Sequence, residues 1–377
     1  MDDEYCSALL HDAATHFARG DLPPVIAAAV RVGCLTALRK PGGGVRGIIV
    51  GDTLRRLIAR TIAQEFASDF QEACAPYQYA LSTRAGTESI AHVFQALTQA
   101  NPRTTIVSID GIGAFDLISR QSMLRGLSQV PRASRCLPFV RLFYGQPSEY
   151  LWFDSAGQAH TVLQAEGGEQ GDPLMPALYS LGQHPALQHV QTRLLPGEHL
   201  FAYLDDVYAV CEPDRARAIF DELSTALQRE CGIGINLGKT RVWNAGGLTP
   251  MGFEGMGSPE QPVWVGDQSL PPEQQGLVVL GTPHGHRAYV TRHLEDLSAE
   301  HQRLLDVLHE LPELQSSWLL LSLCASPRCN YYLHALPPIL SAPFVARHDL
   351  ALRVCLLRIL DNPAAVEATL ARAGEVA

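Results

Sequence analysis

The stretch HLFAYLDDVYAV, residues 199–210, decides the fold of this 377-residue sequence. Apolar and aromatic residues on both sides of Asp205 and Asp206 predict two strands joined by a tight turn. Adjacent carboxylates repel each other, so placing them between buried strands costs stability unless a cation compensates their charge. A solvated turn is the alternative, but hairpin tips usually carry Gly or Asn, whereas Leu204 and Val207 flank this pair. The stretch therefore favours a divalent metal site.

A further carboxylate stands at the end of TTIVSID, residues 104–110, whose β-branched residues predict a strand. A strand end can project Asp110 rigidly into a cleft, with capping of the following turn as the alternative role. Because adjacent strand residues point to opposite faces, we expect Asp205 to be the main ligand of the pair and Asp206 to lie nearer the periphery. Carboxylate oxygens suit Mg²⁺, which also binds substrate phosphates. Asp110, Asp205 and Asp206 are therefore predicted to hold two Mg²⁺ ions, with Mn²⁺ as an alternative.

The segment EGGEQGDPLMPALYS, residues 166–180, predicts a sharp turn that leads into a helix. Gly171 permits the turn, Asp172 suits an N-cap and Pro173 suits the first helical position. These local preferences explain the segment as an ordinary helix start. The functional interpretation adds that Gln170 and Gly171 face a nascent base pair.

Lysine is so rare that its positions are informative, because the sequence has 27 arginines and only Lys40 and Lys239. Lys239 lies in INLGKTRVW, a loop that enters a strand, where it can protonate a leaving pyrophosphate. Lys40 lies six residues before Arg46 in a Gly-rich segment, and cations with Gly-rich backbone favour phosphate. We therefore expect Lys40 and Arg46 to contact an incoming triphosphate, with ordinary surface charge as the alternative.

The composition indicates a soluble chain large enough to bury a sizeable core, since 46% of its residues are hydrophobic. No apolar run reaches the ~18 residues that would suggest a membrane span. The start, MDDEYCSALLHDAATHF, is acidic and helical in pattern, unlike a signal peptide. We therefore predict a soluble, intracellular protein without a membrane partner; the sequence does not distinguish nucleus from cytoplasm, and it predicts no oligomeric state.

The nine cysteines include no CxxC pair, which indicates reduced core thiols rather than a disulfide framework or a zinc site. The nearest approach to a metal pattern is Cys324 and Cys329 with His334. Its flanks have the pattern of an apolar helix, so core thiols are the favoured interpretation.

The net charge of −10 argues weakly against nucleic-acid binding, because such proteins usually carry a basic footprint. Net charge is a sum over the whole surface, however, and a basic cleft can lie within an acidic protein. The last part of the chain, residues 285–377, has eight Arg against ten Asp and Glu. This charge balance argues against tight binding of a nucleic-acid duplex by residues 285–377.

The hydrophobic periodicity predicts a mixed α/β lobe followed by a helical lobe, an α+β architecture. Helices are expected over residues 1–38, 54–70, 87–100, 173–190 and 214–231, and again from about 286 to the end. A Gly-rich turn and a short strand are expected over 41–52. A hairpin is expected from SEYLWFD, 148–154, and HTVLQAE, 160–166.

Taken together, these segments resemble the reverse transcriptase domain, especially that of non-LTR (LINE-type) retrotransposons, in the right order over about 40–290. The resembling segments are VRGIIVGDTLRRLIAR (45–60), QYALSTRAGTES (78–89), SIDGIGAFD (108–116), EQGDPLMP (169–176), YLDD (203–206), INLGKT (235–240) and VVLGTPHG (278–285). YLDD alone would be weak support, but its combination with the other motifs in this order is specific.

The resemblance implies roles for individual residues. Arg46 falls at the family's triphosphate-contacting arginine, and Asp110 becomes a metal ligand to which the Gly111 carbonyl adds a contact. Phe115 falls where a large aromatic side chain blocks the 2′-hydroxyl of a ribose, which implies the use of deoxynucleotides. Lys239 falls in the lysine-bearing palm motif, and VVLGTPHG resembles the Leu-Gly turn of the primer grip.

The resemblance also implies a right-hand polymerase with fingers, palm and thumb. The fingers would occupy 1–103, and residues 121–165 would connect fingers and palm. The palm, whose antiparallel sheet carries the YLDD hairpin, would occupy 104–120 and 166–285, and the helical thumb 286–377.

The implied function is RNA-directed DNA polymerase activity of retrotransposon origin. Its partners would be an RNA template, a DNA or RNA primer and dNTPs. An RNA-dependent RNA polymerase is one alternative, since it shares the palm carboxylates. A non-catalytic reverse-transcriptase-like domain that binds nucleic acid or protein is the other, and the acidic balance of the chain supports it.

Overall fold

A computed structural model of the chain describes residues 3–40, 43–258 and 260–376. The α-helices in these ranges are α1 (Asp3–Ala18), α2 (Pro24–Arg31), α3 (Thr53–Glu65), α4 (Ala67–Ala73), α5 (Gly86–Ala100), α6 (Ala114–Leu117), α7 (Arg120–Ser128), α8 (Leu137–Tyr144), α9 (Met175–Gln191), α10 (Ala216–Cys231), α11 (Arg287–Leu308), α12 (Leu314–Leu319), α13 (Asn330–Ala335), α14 (Pro338–Ile359) and α15 (Pro363–Val376).

The strands in the same ranges are β1 (Gly33–Arg39), β2 (Val45–Val50), β3 (Thr105–Ile109), β4 (Ser148–Phe153), β5 (Ala159–Gln164), β6 (His199–Tyr203), β7 (Asp206–Cys211), β8 (Arg241–Asn244), β9 (Gly257–Ser258), β10 (Gln261–Pro262), β11 (Gly276–Val279) and β12 (Thr282–Gly285). Helices account for 53% of the chain and strands for 17%, which confirms the predicted α+β class. Residues 41 and 42 of the predicted Gly-rich turn lie outside the described residues.

The chain divides into two compact units. The first comprises residues 1–86, 106–240 and 250–263, and the second comprises residues 87–105, 241–249 and 264–377. The division into fingers, palm and thumb stays a prediction.

One sheet of the first unit has the strand order β2-β1-β4-β5. The predicted helix over 1–38 is wrong for its last part, because Gly33–Arg39 forms β1. The backbone of this segment gains partners on two sides, antiparallel β2 and parallel β4, and such tertiary pairing outweighs local preference. The predicted hairpin is confirmed, since β4 and β5 pair antiparallel from Ser148 and Gln164 onward.

A second sheet of the first unit places three strands in the order β6-β7-β3. β6 and β7 form the antiparallel YLDD hairpin, with Tyr203 opposite Asp206. Ile106 and Val107 of β3 are fully buried. Helix α9 packs against both α7 and α10 and is therefore buried on most of its sides. The hairpin and the end of β3 are thus carried by a rigid, well-packed layer.

The second unit joins a short hairpin to a group of helices. β11 and β12 are connected by Leu280 and Gly281, both at positive φ, as a two-residue type I′ turn requires. Helix α11 packs along α14, and apolar side chains between the helices form separate clusters around Phe344 and Leu305. In the part of the chain that the structure describes, every helix is too short or too polar to cross a bilayer.

Candidate active site

The turn that carries Asp205 has a strained backbone and is held by a side chain from another segment of the chain. Because Tyr203 pairs with Asp206, only Leu204 and Asp205 form the turn, and Leu204 has φ of 55°. A non-glycine residue in this left-handed region costs roughly 1–2 kcal/mol. The Gln78 side chain holds the turn, since its Oε1 accepts the Leu204 N–H at 2.8 Å. Gln78 is 3% exposed, so water does not replace this bond.

The backbone around Gln78 is fixed to the hairpin as well. The Tyr79 N–H donates to the Ala202 carbonyl at 2.8 Å, and the Ala202 N–H donates to the Tyr77 carbonyl at 2.8 Å. Sequence reasoning placed Gln78 in a motif but missed this supporting role. The sequence does carry one indication of this role. Gln78 stands between two tyrosines and close to an apolar residue, and an amide buried among such residues needs hydrogen-bond partners.

Asp110 follows β3 and is held from both its backbone and its side chain. Its carbonyl accepts the Asn236 N–H at 2.9 Å, and its Oδ2 accepts from the Asn236 side-chain amide at 3.3 Å. The Lys239 ammonium donates to Asp110 Oδ1 at 3.1 Å. A Cβ on Gly111 would lie 2.8 Å from Ile233, so glycine permits the close approach of the 233–236 segment.

The predicted site residues converge on one cleft of about 310 Å³. It is lined by Lys40, Arg46, Asp110, Gly111, Gly113, Ala114, Phe115, Asp116, Gln170, Asp205 and Lys239. Gly171 and Asp206 are outside this lining, and Asp116 is a carboxylate of the lining that sequence reasoning did not select. Residues up to 199 positions apart, from 40 to 239, thus contribute to a single site.

Burial and mutual repulsion dominate the electrostatics of the carboxylates. Burial raises the pKa of Asp205, and Asp110 adds to this shift. Burial raises the pKa of Asp206 to about 6, and repulsion from Asp205 and Asp110 adds to it. Among the described residues, the three carboxylates do not all lie within 4.8 Å of one another. A divalent cation would offset this charge, so the donor set fits a metal that prefers oxygen ligands.

Two cations of the cleft, Lys40 and Arg46, lie on or next to neighbouring strands. Lys40 directly follows β1 and Arg46 lies on β2, and both are exposed. Neither forms an ion pair with another described residue of the chain. Both act on Asp116, where they lower a pKa that burial raises. The cleft therefore contains carboxylates together with two cations, Lys40 and Arg46, that form no ion pair with the described residues.

The turn at Gln170 and Gly171 is fixed by a buried ionic network. Arg55 forms a two-point ion pair with Glu169, at 3.0 and 2.9 Å, and contacts Asp172 at 3.4 Å. The Tyr144 hydroxyl donates to Asp172 Oδ2 at 2.6 Å. Sequence reasoning did not identify Arg55, Glu169 or Tyr144, because nothing local to the segment shows which residues are buried together.

The predicted N-cap role of Asp172 is wrong. Helix α9 begins at Met175 with Leu174 as its N-cap, so Pro173 is outside the helix. Asp172 instead closes the turn before the helix, since its Oδ1 accepts the Leu174 N–H at 2.9 Å. At Gly171, a side chain would collide with the Ile49 carbonyl of β2. The close approach of the two backbones explains the glycine.

Phe115 is held by stacking. Its ring lies parallel to the Tyr179 ring, with centroids 4.7 Å apart and an interplanar angle of 8°. The Tyr179 hydroxyl accepts from the Gln183 amide at 3.3 Å. Phe115 therefore lines the cleft with a ring whose orientation is fixed by this stack.

Gln78→Met should destabilise the fold, because it leaves the part-buried Leu204 N–H without its acceptor. The expected loss in the free energy of unfolding is about 1–3 kcal/mol, measured by urea titration. Gln64→Met, at an exposed position of α3, should change it by less than about 0.5 kcal/mol. Equal effects of the two substitutions would contradict the supporting role of Gln78.

Asp206→Asn should stabilise the protein in EDTA at pH 7.5. The pKa of Asp206 is about 6 in the folded protein, against an ordinary value of 3.8. Protonated Asp206 therefore favours the folded state, and this stability is lost as the pH rises through the folded-state pKa. Asparagine does not ionise, so the variant should gain roughly 1–3 kcal/mol at pH 7.5 and little at pH 4. Urea titrations at both pH values, with the exposed Asp12→Asn as control, test this. A gain that does not change with pH would refute it.

The chain is similar in sequence to a known retrotransposon protein. The retrotransposable element SLACS 132 kDa protein of Trypanosoma brucei gambiense is 23% identical over 304 residues, which cover 79% of this chain and 24% of that protein. The chain thus spans about a quarter of the length of this curated relative. Its retrotransposon source agrees with the resemblance in the sequence.

Solved structures similar to this chain include two yeast telomerases. Telomerase of Candida albicans in complex with a fragment of telomeric RNA has a TM-score of 0.48 and 14% identity, over 91% of this chain and 62% of that one. Apo telomerase of Candida tropicalis has a TM-score of 0.47 and 10% identity, over 99% and 72%.

A family model decides the assignment. Residues 38–283 match the model described as reverse transcriptase (RNA-dependent DNA polymerase). This match covers more than half of the chain and contains every residue that lines the cleft. The chain therefore belongs to the reverse transcriptase family of RNA-dependent DNA polymerases.

Proposed function

We propose that this chain extends a nucleic-acid primer with dNTPs along an RNA template, as an RNA-directed DNA polymerase of retrotransposon origin. The observation that carries the proposal is the composition of one cleft. It joins Asp110 and Asp205 to Lys40, Arg46 and Lys239. Transfer of a nucleotidyl group asks the protein mainly to position reactants and to offset charge, and this combination of side chains does both.

Reverse transcriptases use divalent metal ions, and we propose that two Mg²⁺ ions act here, with Mn²⁺ as a substitute. Asp110 and Asp205 would hold them, with Asp206 assisting and the Gly111 carbonyl adding a contact. When bound, such a pair activates a hydroxyl nucleophile and stabilises the charge of the leaving group. The raised pKa values of Asp205 and Asp206 support the assignment, because buried carboxylates that repel one another favour a cation.

The side chains have separate tasks in the proposed reaction, an in-line attack of the primer 3′-hydroxyl on the α-phosphate of a dNTP. Arg46 and Lys40 would bind the triphosphate, because both are exposed cations in the cleft. Lys239 would donate a proton to the leaving pyrophosphate. Its side chain is 65% exposed, so it can leave Asp110 when substrate arrives.

Selection of the nucleotide would depend on the rigid parts of the cleft. Phe115, fixed by its stack on Tyr179, would exclude a ribose 2′-hydroxyl. Gln170 would contact the nascent base pair, with its amide 3.4 Å from Asp116 in this structure. Gly171 would keep the backbone of this turn close to β2.

Asp205→Asn should abolish primer extension, because it removes a charge needed for the metal while keeping the shape of the side chain. We expect a fall in rate of at least roughly 100-fold on an RNA template with dNTPs and Mg²⁺. Asp12→Asn, on the exposed face of α1, should leave the rate unchanged. Wild-type protein no more active than the variant would favour the non-catalytic binding function.

Phe115→Ala should relax the choice of sugar. The ratio of kcat/KM for a dNTP to that for the matching ribonucleotide should fall by roughly 10–100-fold, since a pocket gains little more than this by rejecting one hydroxyl. Phe153→Ala, at a half-exposed ring of β4, should leave the ratio unchanged. A wild-type preference for ribonucleotides would instead indicate an RNA-dependent RNA polymerase.

A further inference from the structure

Three metal-ligating side chains meet inside the second unit. His301 lies on α11, Cys329 ends the short 3₁₀ helix Ser326–Cys329, and His348 lies on α14. One nitrogen of each imidazole and the Cys329 Sγ all lie within 4.8 Å of one another. The residues are 7%, 3% and 5% exposed, respectively. Three separate elements therefore bring their ligand atoms to one buried point.

Two of these side chains carry polar atoms without a partner. His301 Nδ1 and His348 Nε2 are inaccessible to solvent and form no hydrogen bond in the part of the chain that the structure describes. Buried polar atoms are almost always satisfied, and each unsatisfied one costs about 1–3 kcal/mol. Two such atoms in neighbouring rings, whose centroids are 5.2 Å apart, indicate a ligand that binds imidazole nitrogen.

The donor set points to zinc. Two imidazole nitrogens and one thiolate suit a borderline-soft ion, whereas Mg²⁺ prefers oxygen. Zinc–nitrogen and zinc–sulfur bonds of about 2.0–2.3 Å place tetrahedral ligand atoms about 3.3–3.6 Å apart. The three ligand atoms, which all lie within 4.8 Å of one another, approach this separation without a bound ion. A blue-copper site of similar ligands typically adds an axial methionine, and the sequence has no methionine after Met256.

We propose that His301, Cys329 and His348 bind one zinc ion in the helical part of the second unit. A cavity of about 420 Å³ beside the cluster is lined by both histidines and by Ser298 and Gln302. In this proposal, a water molecule from the cavity would occupy the fourth coordination position. The site is separate from the polymerase cleft, and the proposal does not depend on the polymerase function.

The ion would stabilise a part of the fold that packs irregularly. The chain passes through a π-helix, Leu320–Ala325, and the 3₁₀ helix before Asn330, so its backbone bonding changes repeatedly near Cys329. Coordination would tie this segment to α11 and α14. The pattern of Cys324, Cys329 and His334 in the sequence pointed to different ligands, but Cys324 is exposed and His334 pairs with Glu88 at 3.4 Å.

Cobalt(II) is the probe for this site, because tetrahedral Co²⁺ bound to thiolate gives a charge-transfer band in the near ultraviolet. The full chain is treated with a chelator, exchanged into metal-free buffer and titrated with Co²⁺. We expect the band to saturate at one equivalent and to disappear on addition of Zn²⁺. Absence of a thiolate band, or saturation without fixed stoichiometry, would overturn the proposal.

Variants assign the ligands. Cys329→Ser should remove the charge-transfer band. His301→Gln and His348→Gln should each weaken Co²⁺ binding more than the roughly 10–100-fold that is typical when a residue hydrogen-bonded to a metal ligand is lost. Cys324→Ser and His334→Gln, the ligands that only the sequence pattern suggests, should leave binding unchanged. Circular dichroism checks that each variant is folded. A folded Cys329→Ser that retains the band, or loss of binding in the control variants instead, would refute this ligand set.

Thermal unfolding gives a second readout, which leaves the three proposed ligands unchanged. Zinc at about 100 times its dissociation constant should raise Tm by roughly 5 °C relative to EDTA, because an ion that binds only the folded state stabilises it. Mg²⁺ should not raise Tm in this way. The comparison uses the Asp205→Asn variant, in which Mg²⁺ binding at the proposed carboxylate site is impaired. An unchanged Tm in zinc would count against the site.

Discussion

Three aspartates reach one region of the first unit, from the end of β3 and from the turn between β6 and β7, where the interior supplies little positive charge. Burial raises the pKa of Asp205 and Asp206; Asp110 adds to both shifts, and Asp205 adds to that of Asp206. Lys239 offsets part of the charge through its ion pair with Asp110. The surrounding structure holds these groups in place against their repulsion, and a bound divalent cation would relieve it.

The supports of this arrangement are mostly polar and buried. Gln78 fixes the strained Leu204 turn, and Arg55 holds the segment around Gly171 through Glu169 and Asp172. Buried ion pairs of this type contribute little net stability compared with apolar packing, but removal of one partner is costly. Their value here is positional, because they determine where the backbone beside the cleft must lie.

The second unit has a different organisation. Its helices pack through apolar clusters, and the His301–Cys329–His348 group interrupts one of them with polar atoms that lack partners. An apolar core would tolerate leucine or phenylalanine at these positions without such a penalty. A bound ion gives these three side chains a physical reason to be together.

The sequence by itself determined most of the local elements of the first unit and the family of the chain. Apolar and aromatic residues on both sides of Asp205 and Asp206 predicted the hairpin, TTIVSID predicted β3, and the ordered motifs predicted the reverse transcriptase family that the family model confirms. These features depend on residues close together in the chain, where periodicity and turn chemistry act directly.

Only the tertiary structure decided the features that depend on distant contacts. Gly33–Arg39 is a strand because β2 and β4 pair with it, and Asp172 is a network residue because Arg55 and Tyr144 are buried beside it. The buried cluster in the second unit unites positions 301, 329 and 348, whereas spacing in the sequence suggested Cys324 and His334. No local sequence pattern predicts these contacts, because burial and the choice of partner are determined only when separate segments pack together.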